Sequence, residues 1–116
     1  MSKRIEQNNR IVVINEPKRK AKFEVYRVTL MNDNGHKTYV GFTSVGMRKR
    51  AQVHVDTPNR SVYDTFHESP STLMVVEHLK GARTLDRARQ LEKHYIKQER
   101  DRVGADLLNI QHTKKK

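Results

Sequence analysis

Cysteine is absent from this chain, which removes disulfides, thiolate catalysis and cysteine-ligated zinc. Aromatic residues make up only 6%, so base stacking on single strands has little support. Acidic residues are scarce, with 13 Asp and Glu against 24 Lys and Arg, a formal net charge of +11. That excess says nothing about fold, but it predicts attraction to polyanions such as nucleic acid or an anionic surface. No run is apolar enough to span a bilayer, and Met1 to Gln7 lack the apolar core of a signal peptide. The expectation is an intracellular protein with no membrane partner. The six histidines include no His-Glu-x-x-His pattern, so a histidine zinc site is a remote reading.

What is present fits one small domain. The 116 residues are 34% hydrophobic and 32% charged, which limits the core. Residues 1–22 carry seven Lys and Arg against two Glu and read as a basic, partly ordered extension. Within it, Ile11-Val12-Val13-Ile14 as an added edge strand is the alternative. Residues 23–112 are expected to form the domain, and 113–116 a basic tail. Residues 24–31 and 37–43 read as a hairpin, because β-branched and aromatic residues flank Asn32-Asp33-Asn34-Gly35, a strong turn signal. Ser44 is placed to cap a basic helix over 46–55, which Pro58 ends. Val62, Tyr63 and Phe66 suggest a short helix over 60–67, closed by Pro70, with Tyr63 and Phe66 expected in the core. Leu73 to Val76 form an apolar run of buried-strand type, and Gly81 punctuates after it. Thr84 can cap the clearest helix, 85–101, whose apolar side carries Leu85, Ala88, Leu91, Tyr95 and Ile96. Leu107 to Ile110 read as a final short strand or packed coil. The order implies an α/β (α+β) domain on a small three-stranded antiparallel sheet.

Several side chains stand out chemically. Glu92 lies four residues after Ala88 and three and four before Tyr95 and Ile96, so it borders the apolar helix face. A carboxylate there needs a cation, either a metal or a neighbour such as Arg89 or Lys93. Tyr26 and Tyr39 fall on adjacent strands, where packing is the ordinary explanation. Arg50 and His54 are four residues apart on one helix, so they could meet one phosphate or simply form a solvated basic face.

In order, these pieces resemble the GIY-YIG nuclease family. Val25-Tyr26 resembles the end of the first motif, with Glu24 where glycine is usual. Tyr39-Val40-Gly41 resembles the second motif, with Val for Ile, and Lys37 resembles the basic residue before it. Lys49-Arg50 followed by His54 resembles the arginine-histidine helix, Leu91-Glu92 before Tyr95-Ile96 the metal-binding glutamate, and Leu108-Asn109-Ile110 the closing asparagine motif. The resemblance spans residues 24–110. It implies a small free-standing, phage- or restriction-type DNA endonuclease that acts on duplex or branched DNA. Glu92 would hold one Mg²⁺ or Mn²⁺, Arg50 the phosphate oxygens, and Tyr26 or Tyr39 with His54 the proton. Asn109 would anchor the site, and Lys37, Arg27 or the metal would lower a tyrosine's pKa. Tyr39 to Arg50 is about one residue longer than in homing-endonuclease members, which implies a different loop at 43–47.

Arg27, Arg48, Lys49, Arg60 and Lys18, Arg19 and Lys20 are candidate phosphate contacts; for each, a solubilising surface charge is the plain alternative. A single site implies a homo-oligomer or sequential nicking for double-strand cutting. Two other readings compete. A catalytically silent basic nucleic-acid-binding module predicts salt-sensitive binding without scission, and an RNA-directed or ribosome-associated protein has only the charge in its favour.

Overall fold

A computed structural model describes residues 10–58 and 61–109. In chain order the elements are β1 (Ile11–Ile14), β2 (Phe23–Asn32), β3 (Gly35–Thr43), α1 (Met47–Asp56), α2 (Ser61–Phe66), β4 (Leu73–Ala82) and α3 (Leu85–Val103), followed by a 3-10 turn at Gly104–Asp106.

The hairpin forms where the turn chemistry places it. Asn32 pairs with Gly35, Gly35 takes a φ of 118°, and the Asn32 side chain accepts from the Asn34 amide at 2.8 Å. The architecture is α+β as expected, but the strand count and direction require correction. The sheet has four strands in the order β1-β4-β2-β3, and β1 runs parallel to β4 with Ile11 opposite Met74. β1 is therefore a sheet strand drawn from the stretch read as an extension.

Its anchor is Arg10. The guanidinium donates to the carbonyls of Thr72 at 3.0 Å, Phe66 at 2.9 Å and Ser69 at 3.0 Å, and lies 4.0 Å over the Phe66 ring. Ile11 and Val13 then pack against the core. The other two pairings, β4 with β2 and β2 with β3, are antiparallel.

The two faces of the sheet bury separate clusters. On one, Tyr26, Val28, Leu30, Met74 and Val76 meet α1 and α2 through Met47, Ala51, Val55, Val62 and Phe66. On the other, Val25, Val40 and Ala82 meet Ala88 and Leu91 of α3, with Tyr95 and Ile96 packed against them. Phe66 is fully buried and Tyr63 partly so. A buried side chain of Phe66's size contributes about 1.5–3 kcal/mol.

Ser44 does not cap α1; Gly46 is the N-cap, with φ 100° and no side-chain hydrogen bond. Thr84 does cap α3, accepting from the Arg87 amide at 3.1 Å. β4 does not stop near Val76 but continues ten residues to Ala82, through Gly81. The pairing with β2 shifts between Val25–Lys80 and Tyr26–His78, leaving Leu79 unmatched, a bulge beside the tyrosine. Leu107 makes a single parallel bridge to Thr38 and is buried with Leu108, a packed segment rather than a strand. No helix among the described residues is long and apolar enough to cross a membrane.

Candidate active site

Tyr26, Tyr39, Arg50 and Glu92 line one cleft of about 340 Å³, together with Phe42, Ser44 and Val45. Each comes from a different element: β2, β3, α1 and α3. Strand alternation aims Tyr26 to the α1 side of the sheet. His54, one turn beyond Arg50, is buried, and its Nε2 lies 2.8 Å from the Tyr26 hydroxyl. The His54 ring also meets Tyr39 edge-on at 5.2 Å between centroids. Two tyrosines, an imidazole, a guanidinium and a carboxylate thus converge.

Gly41 makes this convergence possible. A Cβ there would stand 2.8 Å from the Tyr26 hydroxyl oxygen and 3.0 Å from Tyr39 Cε2. The tyrosines close over the space that a side chain would fill. A glycine inside a strand is the sequence signal for such an approach.

Asn109 fixes the same strand from outside. It is buried, accepts from the Val40 amide at 2.8 Å and donates to the Val40 carbonyl at 2.9 Å. Its amide therefore serves Val40 as a neighbouring strand would, between Tyr39 and Gly41.

Burial holds the Tyr26 proton more tightly than in a free tyrosine. The nearby Tyr39 and Glu92 add to this, while Arg50 opposes it by hydrogen bond and charge. The Arg50 Nε is buried and has no hydrogen-bond partner among the described residues. Glu92 is half-buried, and its carboxylate makes no hydrogen bond or salt bridge among the described residues. Burial raises its proton affinity, with Arg89 opposing.

The donor set suits a hard divalent cation that keeps most of its waters. The cleft offers one unpaired carboxylate, and no group of three His, Cys, Asp or Glu poised for a metal occurs among the described residues. The Arg50 guanidinium on the cleft wall suits a phosphate oxygen.

Other candidates lie elsewhere. Lys37 is ion-paired with Asp106 at 3.3 Å and does not line the cleft. Arg27 points to the opposite face of β2 from Tyr26, held by Glu77 at 2.5 Å and Glu99 at 3.1 Å. Glu99 also pairs with Arg102. Arg48 is exposed and pairs with Glu16 at 3.0 Å, and Lys49, Lys18 and Arg19 are exposed. Lys20 is exposed too, and its ammonium reaches the loop before α1. Arg60 lies outside the described residues.

Glu24, the residue in place of a motif glycine, is buried and turned away into bonds with Ala21 and His78. Sequence reasoning singled out neither His78 nor Gly41 as an individual site residue.

The sheet and its flanking helices thus bring a Tyr-Tyr-Arg-His-Glu set together at one cleft. The family model described as the GIY-YIG catalytic domain matches residues 11–105, and the chain belongs to that family of nucleases. Its members generally depend on a metal, and DNA is the substrate such a domain implies. Comparison with curated proteins and with solved structures found no match.

Proposed function

We propose that this protein is an endonuclease that hydrolyses DNA phosphodiester bonds at the cleft between Tyr26, Tyr39, Arg50 and Glu92. The observation that carries this reading is the convergence of those four side chains with the Tyr26–His54 hydrogen bond. Glu92 would hold one Mg²⁺ or Mn²⁺. Bound there, the ion supplies positive charge to the phosphate and to the leaving oxygen.

The chain's own groups account for the rest. Arg50 binds non-bridging phosphate oxygens and stabilises the charge that builds on them. Tyr26 alone is a poor base, since its proton is held tightly. Its hydroxyl nevertheless sits on His54 Nε2, so a relay is available. The attacking water gives a proton to the Tyr26 oxygen as Tyr26 gives its own to neutral His54. A new P–O bond forms, the opposite P–O bond breaks, and the leaving oxygen takes a proton from solvent. Tyr39, beside His54, orients the water. Asn109 keeps Tyr39 in register. Exposed Arg48, Lys49 and Lys18 to Lys20 track neighbouring phosphates without reading sequence.

The test is plasmid cleavage with Mg²⁺ by the wild type and by Glu92→Ala. Loss of cutting by at least about 10²-fold is expected. Equal cutting by Glu92→Ala sinks the assignment. Salt-sensitive binding without scission by the wild type in any divalent metal indicates a silent binding module instead.

A further inference from the structure

We propose that the segment Lys20–Lys22 walls a second phosphate-binding pocket continuous with the catalytic cleft, and that Glu24 is the positioning residue that fixes it there. The inference rests on the nuclease reading above and deepens it, by naming where the substrate strand goes next.

A second cavity of about 340 Å³ adjoins the cleft. The two share Thr43, Ser44 and Val45, and Lys20, Lys22 and Gly46 line the second beyond them. The Lys20 ammonium lies 3.5 Å from the position a Gly46 Cβ would take, so the charge sits over the loop that separates the two cavities.

Two independent features hold this wall in place. Glu24 is 3% exposed, yet both its oxygens are engaged. One accepts from the Ala21 amide at 2.6 Å and the other meets His78 Nε2 at 2.5 Å. A buried carboxylate without partners is costly, and a chain simply entering a strand does not need one. Here it clasps the approach segment to the sheet. Gly81 supplies the seat, because a Cβ there would stand 2.8 Å from the Ala21 Cβ. The glycine lies inside β4, where a side chain would lift the segment away.

The chemistry of the pocket follows. The Lys20 ammonium, with Lys22 lining the same wall, suits a backbone phosphate, which lysines meet as point charges without reading bases. Although Glu24 also borders the pocket, its oxygens are occupied by Ala21 and His78. The ligand is the phosphate adjacent to the scissile one on the same strand.

The experiment uses the full chain. Duplex DNA binding is titrated without metal across a salt series, and plasmid cleavage with Mg²⁺ gives KM and kcat. The Lys20→Ala/Lys22→Ala variant is expected to lower the magnitude of the salt slope by about one to two, and to raise KM by a larger factor than it lowers kcat. Glu24→Ala should reproduce that loss of slope and add nothing when combined with the lysine changes. Glu24→Gln, which can still accept from Ala21 and donate to neutral His78, should restore the slope.

A lysine variant with the wild-type slope and KM overturns the proposal. So does a Glu24→Ala loss that adds fully to the lysine loss. If Glu24→Ala fails to fold, the lysine variant decides the pocket, and Glu24→Gln decides the clasp by keeping or losing the wild-type slope. A wild type that never cuts ends the nuclease reading alone, since the metal-free slope still decides the pocket.

Discussion

Replacing Gly41 by alanine tests whether the cleft depends on empty space. The added methyl carbon would lie 2.8 Å from the Tyr26 hydroxyl oxygen, 3.0 Å from Tyr39 Cε2 and 3.1 Å from Tyr26 Cζ. The tightest of these involves the atom that bonds His54 at 2.8 Å. Tyr26 is 1% exposed and packed among Val28, Met47 and Ala51, so its ring has little room to recede. Tyr39 is only partly buried and yields more readily. Overpacking of this kind costs about 1–3 kcal/mol, and each kcal/mol lowers Tm by roughly 4 °C for a domain of this size. The effect on chemistry is larger in proportion. A misplacement approaching 1 Å in a positioned group costs on the order of 10²-fold in rate. Gly41→Ala is therefore expected to melt some degrees lower and to lose about 10- to 100-fold in kcat. The assays are thermal denaturation and timed plasmid nicking in saturating Mg²⁺. A variant that melts lower yet nicks at the wild-type rate would refute the view that Gly41 exists to let the tyrosines meet.

Asn109→Ala strands the Val40 amide and carbonyl in a buried site, at about 1–3 kcal/mol per group. A loss of stability of about 2–4 kcal/mol in urea unfolding and faster hydrogen exchange at the Val40 amide are expected; unchanged exchange at Val40 would contradict the pairing. Burial raises the Glu92 proton affinity, with Arg89 in partial opposition. Protons then compete with metal at a higher pH than for an ordinary carboxylate, whose pKa is about 4.3. The Mg²⁺ concentration for half-maximal cleavage should climb as pH falls towards that range, and a requirement that stays flat down to about pH 5 would argue against Glu92 as the ligand.

Much of the site was legible because its signals are local. Asn32 to Gly35 announce a turn, Thr84 a helix start, and Arg50 and His54 share a helix face over a single turn. The order Tyr26, Tyr39, Arg50, His54, Glu92 carried the family resemblance, and the fold gathers all five.

What escaped was set by partners far along the chain. Ile11–Ile14, whose edge-strand reading was only the alternative, form a strand whose preceding Arg10 reaches the carbonyls of Phe66, Ser69 and Thr72. The punctuation expected at Gly81 is a strand position that leaves room for Ala21. Arg27 looked like a free cation until Glu77 and Glu99 were placed beside it. No periodicity in the neighbourhood of Arg27 encodes those two acids, 50 and 72 residues away. Ser44 had the chemistry of a cap, but the chain passes to the left-handed side at Gly46 and starts the helix there.

The bond between Val40 and Asn109 joins positions 69 residues apart, and it has a consequence in time rather than in space. Synthesis delivers the strand with Tyr39 and Gly41 early, Glu92 much later, and the residue that braces that strand later still. A long loop must close before any of these contacts repays its entropy. A chain still emerging from the ribosome, made up to α2, holds both tyrosines, Arg50 and His54 but neither the carboxylate nor the brace. On the proposed reading, the site that would cut a polymer of the cell's own kind is thus complete only after residue 109 has been made.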